Sequence, residues 1–139
     1  MRWLALILLV VLSAPVHAAS YKVLLIRASN ENGATDESLK DIETKLKKVF
    51  GYNHYRPLGL QRMPAQINTR RRLDLGEGFV TFITTKGLKD NQYDVELEWF
   101  SGKLLISKQT LKLPENRYVF IKGPEVGADW IVLALTILE

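Results

Sequence analysis

The stretch YDVELEW, residues 93–99, alternates apolar and acidic side chains without a break. Because successive side chains of a β-strand point to opposite faces of a sheet, this pattern predicts a strand with one face in a core and the other in water. The longer stretch AQINTRRRLDL, residues 65–75, alternates in the same way. Solvation of one face is typical of antiparallel sheets, so both stretches predict an antiparallel arrangement.

Turn-forming residues separate further runs of this kind along the chain. Together the runs predict eight strands, at residues 21–29, 53–62, 65–75, 78–87, 92–100, 103–113, 117–122 and 129–138. The last strand is apolar on both faces, which predicts a central place in a sheet. Ser101-Gly102 predicts a tight hairpin, and the segment 121–127, with Gly123-Pro124, is interpreted as a tight crossover between sheets, with a binding loop as the alternative.

One amphipathic helix is predicted between the first two strands. Thr35 or Asp36 is a suitable N-cap, and Gly51 supplies a left-handed C-terminal stop. Apolar residues recur between them at helical spacing: Leu39, Ile42, Leu46, Val49 and Phe50. The fold class predicted from these elements is α+β and mainly β. We expect an antiparallel sandwich or partly closed barrel of seven or eight strands, with the single N-terminal helix against one side.

The first nineteen residues have the three parts of a cleavable signal peptide. Arg2 is the early positive charge, residues 4–12 form an apolar run, and Ala18 places a small residue at the expected cleavage site. The run is about half of the roughly 20 residues needed to cross a bilayer, which argues against an uncleaved anchor. We therefore expect residues 20–139 to form a single exported domain, periplasmic or secreted, with no membrane span after cleavage.

The composition excludes several kinds of site. The chain has no cysteine, so it forms no disulfide and offers no thiolate to a metal or a substrate. His54 is the only histidine after the predicted signal peptide, and no nucleophile signature accompanies it. We predict no catalytic residue, no metal site and no cofactor from these patterns.

A carboxylate pair is the enzymatic alternative. Glu96 and Glu98 share one face of a predicted strand, about 7 Å apart by the strand rise, a separation that suits acid and base roles on a glycan. A general acid needs burial or a close like charge to raise its pKa. These residues lie instead on a regular polar face, where pairing with a lysine such as Lys108 on the next strand is the simpler interpretation.

Charge is distributed unevenly around a net value of +4. Residues 40–72 contain nine basic and two acidic side chains, a net charge of +7, whereas residues 74–98 carry a net −4. A basic surface of this kind attracts phosphate, sulfate or an acidic polymer. The candidate ligand-binding residues are Lys45, Lys48, Arg56, Arg62, Arg70 and Arg72. Arg71 falls in the apolar register, so it needs a buried partner or an edge strand whose side chains reach water.

Several short motifs resemble those of small, uncharacterised exported bacterial proteins of mainly β structure. They are Phe50-Gly51-Tyr52, Tyr55-Arg56-Pro57-Leu58, Leu73-Asp74-Leu75-Gly76 and Lys122-Gly123-Pro124. The resemblance implies a fold and a compartment but no activity. Our leading hypothesis is a non-enzymatic exported binding or assembly module. The partner classes left open are another exported protein and an anionic polymer, the latter bound through a basic helix-strand surface.

Overall fold

A computed structural model describes residues 19–138, so all but the last residue of the predicted signal peptide lies outside the described residues. These described residues contain eight strands: β1 Ser20–Ser29, β2 His54–Pro64, β3 Arg70–Gly76, β4 Phe79–Lys89, β5 Gln92–Ser101, β6 Leu104–Pro114, β7 Val119–Val126 and β8 Asp129–Leu138. In the same part of the chain one α-helix, α1, spans Glu43–Phe50, and a 3₁₀ turn spans Glu37–Leu39. Within residues 19–138, no helix has the length and apolar character needed to cross a membrane.

The strands form two antiparallel sheets rather than one closed barrel. Sheet A has the order β2-β1-β8-β7 and sheet B the order β3-β4-β5-β6. The inner faces of the two sheets enclose the larger apolar cluster, which includes Trp99 of sheet B and Leu133 of sheet A. The arrangement is sandwich-like, with α1 as a third layer on the outer face of sheet A. The prediction of a mainly β, antiparallel fold with one helix is confirmed.

The last strand lies at the centre of sheet A, as its sequence predicts. Residues 131, 133, 135 and 137 pack against sheet B in the larger cluster. Val132 and Ala134 lie on the opposite face and pack in a second cluster beneath the helix layer. The unbroken apolar run is therefore required because β8 is covered on both faces.

The helical segment is divided rather than continuous. Asp36 caps the 3₁₀ turn by accepting a hydrogen bond from the Ser38 N–H at 2.9 Å, and α1 begins only at Glu43. Leu39, at the end of the 3₁₀ turn, and Ile42, the N-cap residue of α1, are both buried, and the Ile42 N–H donates to the Leu39 carbonyl at 3.1 Å. The predicted single helix from residue 36 is thus wrong in its first turn, whereas the left-handed stop at Gly51 is confirmed, with φ 77°.

The predicted strand 65–75 is wrong in its first five residues. β3 begins at Arg70, and residues 65–69 carry the chain from sheet A to sheet B. Asn68 adopts a left-handed φ of 60°, and its N–H donates to the Thr85 carbonyl at 2.7 Å. The change of sheet requires this break, although apolar and polar residues continue to alternate through it in the sequence.

The segment around Gly123-Pro124 is a bulge within β7, not a crossover between sheets. β7 pairs with β8 on both sides of a register shift between Lys122 and Glu125. Proline is tolerated because β7 is an edge strand, where its missing N–H breaks no ladder bond. The hairpin predicted at Ser101-Gly102 is confirmed, with a left-handed φ of 58° at Gly102.

Several polar side chains are buried in the core between the sheets, among them Tyr21, Thr81, Thr85 and Trp99. The hydroxyls of Tyr21 and Thr85 form a hydrogen bond, and burial raises the pKa of Tyr21 to about 12. The other two atoms, Thr81 Oγ1 and Trp99 Nε1, have no hydrogen-bond partner within residues 19–138. Thr81 and Trp99 are direct neighbours across β4 and β5, so two unsatisfied groups lie on adjacent strands.

Valine substitutions at the two threonines are expected to act with opposite signs. Thr81→Val removes an unsatisfied hydroxyl without changing shape, and should raise the free energy of unfolding by about 1 kcal/mol. Thr85→Val leaves the Tyr21 hydroxyl buried without its partner, and should lower it by about 1 to 2 kcal/mol. Urea denaturation of both variants measures the difference, and a loss of stability in Thr81→Val would contradict the assignment.

Candidate binding site at one end of the sheets

Two arginines lie side by side at one end of sheet A. Arg27 of β1 is directly opposite Arg56 of β2 in the antiparallel register, so both side chains extend from the same face. That face is the inner one, because Leu25, two residues before Arg27, is fully buried between the sheets. Arg27 lies near the end of β1 and Arg56 near the start of β2, so the antiparallel pair lies at one end of sheet A, where both guanidinium groups reach solvent.

The two arginines differ in their partners. Arg27 Nε donates to Asp129 Oδ2 at 2.7 Å, and the two side chains are 33% and 16% exposed. An ion pair this sheltered fixes the direction of the Arg27 guanidinium. Arg56 is exposed and forms no hydrogen bond or ion pair with any residue from 19 to 138. Its donors are free for a ligand.

A cleft surrounds this arginine pair and has a polar and an apolar part. The polar part, about 160 Å³, is lined by Arg27, Ser29, Glu31, His54, Arg56 and Asp129. The adjoining part, about 290 Å³, shares both arginines and continues along apolar side chains of the core. Each part is smaller than a typical pocket for a drug-sized molecule, so the cleft suits only a small ligand or one group of a larger one.

The carboxylates around the cleft limit its positive charge. Asp129 is committed to Arg27, while Glu31 lines the polar part and Glu77 the apolar part. A ligand with one anionic group meets the Arg56 guanidinium, but further negative charges on the ligand would approach these carboxylates. The electrostatics therefore favour a singly anionic group over a polyanion.

The six predicted ligand-binding residues are distributed over three surfaces. Lys45 and Lys48 are exposed on α1. Arg62 is opposite Lys22 in the register and lies on the helix side of sheet A, whereas Arg56 lies on the inner side. The bulge at Leu58 causes this difference, because one extra residue reverses the alternation between positions 56 and 62.

The remaining two candidates, Arg70 and Arg72, lie on the outer face of sheet B. Arg70 Nε is 3.3 Å from Glu98 Oε1, and its guanidinium is stacked 3.8 Å from the centre of the Phe82 ring. Arg70 therefore has partners within the protein. The ligand contacts proposed for all six residues stay predictions. Among the six, Arg56 lines the cleft.

Arg71 matches the edge-strand interpretation. β3 is an edge strand of sheet B, and Arg71 is exposed with a hydrogen bond to the Gln66 side-chain oxygen. Its position in the apolar register is tolerated because the head of the side chain extends past the edge into water.

Glu96 and Glu98 form surface ion pairs. Glu96 lies 3.5 Å from both Lys86 Nζ and Lys108 Nζ, and Glu98 pairs with Arg70. Glu96 thus faces cations on both neighbouring strands, including the lysine expected from the sequence, and Glu98 reaches Arg70 across β4. This is the geometry of a solvated charge network.

Sequence reasoning missed Arg27 as a site residue. The signal was present, because Arg27 lies in the register of Val23 and Leu25 and is therefore an arginine at a core-facing position near the end of a strand. Arg71 was noted because it falls in the apolar register of its strand, and the same criterion identifies Arg27. His54, expected at a sheet edge, lies on edge strand β2, is half-buried, and lines the cleft. Within residues 19–138, no group of three or more His, Cys, Asp or Glu side chains is arranged to hold a metal.

In comparisons with known proteins, no family model, no curated protein and no solved structure matches the chain. The resemblance to small exported β proteins rests on its short motifs alone.

Proposed function

We propose that the protein is an exported, non-enzymatic binding module that takes a small anionic ligand in the cleft at the end of the two sheets. The observation that carries the proposal is the cross-strand pair Arg27 and Arg56, of which Arg27 is held by Asp129 while Arg56 is unpaired within residues 19–138. A planar guanidinium offers two parallel N–H donors to a carboxylate or a phosphate. Arg56 supplies such a fork, and the anchored Arg27 adds a second positive charge beside it.

Two further observations support the other parts of the proposal. Export, to the periplasm or the exterior, is supported by the charged, apolar and small-residue segments of residues 1–19. The non-enzymatic part of the proposal rests on the sequence, in which no nucleophile signature accompanies His54.

A second candidate is the binding of an anionic polymer on the helix side of sheet A. It is favoured by Lys45, Lys48 and Arg62, which lie on that side together with Lys22. Such binding would weaken steeply with salt, because each neutralised phosphate or sulfate releases a counterion. Cleft binding of a single anionic group depends on salt far less.

Substitution of Arg56 tests the cleft. We expect Arg56→Gln to weaken the binding of acetate and inorganic phosphate about tenfold, because a charge-assisted hydrogen bond is lost. NMR titration measures this, with the side-chain Nε–H signals of Arg27 and Arg56 reporting on the site. Glu31→Gln removes a negative charge from the same cleft and should leave binding equal or about twofold tighter.

Arg72→Gln is the matched control, since it removes the same charge from an exposed arginine on the outer face of sheet B. It should leave anion binding unchanged. Equal weakening by Arg56→Gln and Arg72→Gln would show that net charge alone attracts the anion. Absence of any shift at Arg27 or Arg56 with either anion would overturn the proposed function.

A further inference from the structure

The cleft is divided into a polar end and an apolar end. Its apolar part is lined by Leu58, Phe79, Val126 and Ile131, with Arg27 and Arg56 at the boundary and Glu77 at the rim. An anionic group on the arginines therefore lies directly beside an apolar surface. A ligand that fits both parts is an amphiphile.

The apolar end is the uncovered margin of the core. Phe79 and Ile131 are at the starts of β4 and β8 and are buried in the cluster between the sheets. Leu58 is the additional residue at the β2 bulge, and it packs against the same cluster. Val126 ends β7 and is 39% exposed, so a ligand chain lying here would cover apolar surface that water now contacts.

We infer that the cleft binds a monocarboxylate with a short apolar chain, its carboxylate on Arg56 and Arg27 and its chain along Leu58 and Val126. This inference rests on the proposed function, because the arginine pair must hold the carboxylate. Glu77 at the rim of the apolar part disfavours a second carboxylate at the far end of the chain. The site therefore discriminates against dicarboxylates of the same length.

A homologous series of ligands tests the inference on the full mature chain. Acetate, butanoate and hexanoate have the same head group, and affinity should rise about two- to fourfold for each added methylene as more chain is covered. Adipate has the length of hexanoate and a second carboxylate, and should bind at least about tenfold more weakly than hexanoate. NMR titration measures the dissociation constants of all four ligands under the same conditions.

A substitution at the apolar end of the cleft distinguishes the contribution of the ligand's apolar chain to affinity from that of its carboxylate. Val126→Thr keeps the shape of the side chain and replaces one methyl group by a hydroxyl, so it should weaken the binding of hexanoate about threefold and leave that of acetate unchanged. Val49→Thr makes the same change at a valine that is 61% exposed on α1, and should alter neither. Both positions are exposed, so the fold tolerates both changes.

The outcomes distinguish this inference from the function on which it rests. Equal affinity for acetate and hexanoate, or adipate binding as tightly as hexanoate, overturns the inference and leaves anion binding at Arg56 in place. Failure of every carboxylate and of phosphate to shift the Arg56 signals overturns the proposed function, and the inference with it.

Discussion

Replacing Gly59 by alanine is expected to lower the free energy of unfolding by about 3 kcal/mol, because the new methyl group has no room. A Cβ built on Gly59 lies 2.0 Å from the Leu75 carbonyl oxygen and 3.0 Å from its carbon. Gly59 belongs to β2 and Leu75 to β3, the edge strands at which sheet A meets sheet B. Because the obstructing atoms are backbone, relief requires that one strand move away from the other.

Gly87→Ala is the matched control. Both glycines directly follow the additional residue of a strand bulge, yet a Cβ on Gly87 meets no atom within 4 Å. Alanine there should be neutral or stabilise by up to about 1 kcal/mol, since glycine costs backbone entropy within strands. Urea denaturation of both variants gives the comparison. If Gly59→Ala remains within about 0.5 kcal/mol of the unsubstituted protein, the close approach of β2 and β3 is contradicted.

Local side-chain periodicity was enough to predict the strands that are covered by the core on one face and solvated on the other. The β5 stretch 93–99 is the clearest instance, with Tyr93, Val95, Leu97 and Trp99 all buried. The same reasoning placed β8 centrally, because only a strand covered on both faces needs apolar residues at every position.

Periodicity failed where the chain changes direction without changing its alternation. Residues 65–69 keep the pattern of a strand while crossing between the sheets. Gly123-Pro124 has the composition of a turn, but it lies inside β7, where an edge position tolerates proline and a close neighbour requires glycine. These are tertiary facts that no local window contains.

The candidate site was hidden for a related reason. The bulge at Leu58 reverses the faces of Arg56 and Arg62, so two basic residues that regular alternation groups together lie on opposite sides of sheet A. Arg56 is a candidate site residue because Arg27 lies beside it. Arg27 is 29 positions earlier in the sequence and becomes its neighbour through strand pairing. Composition predicted a basic surface, and only the register shows which arginine borders a cavity.

The largest expected effect after Gly59 arises at the contact between Gly123 and Trp99. A Cβ on Gly123 would lie 2.2 Å from Trp99 Cη2 and 2.7 Å from Cζ3. Trp99 is fully buried between the sheets, and its ring is 5.9 Å from that of Phe79, centre to centre. The indole therefore has no room to move aside, and Gly123→Ala should cost about 2 to 3 kcal/mol.

A smaller ring at position 99 tests whether the contact with Trp99, rather than a general weakness of the β7 bulge, causes the loss of stability in Gly123→Ala. Trp99→Phe removes the two ring atoms nearest to the new methyl group, along with the unsatisfied Nε1–H, and leaves the Ile131 carbonyl oxygen 3.0 Å away. Alone it should cost about 1 to 2 kcal/mol through the cavity it leaves. Combined with Gly123→Ala it should restore at least about 1 kcal/mol relative to the sum of the single changes, because the methyl group fills that cavity.

The control pairs Trp99→Phe with Gly87→Ala. The free-energy changes of these two substitutions should add, since no atom lies near Gly87. Additive costs for Gly123→Ala and Trp99→Phe in denaturant unfolding would refute the contact as the reason for glycine at position 123.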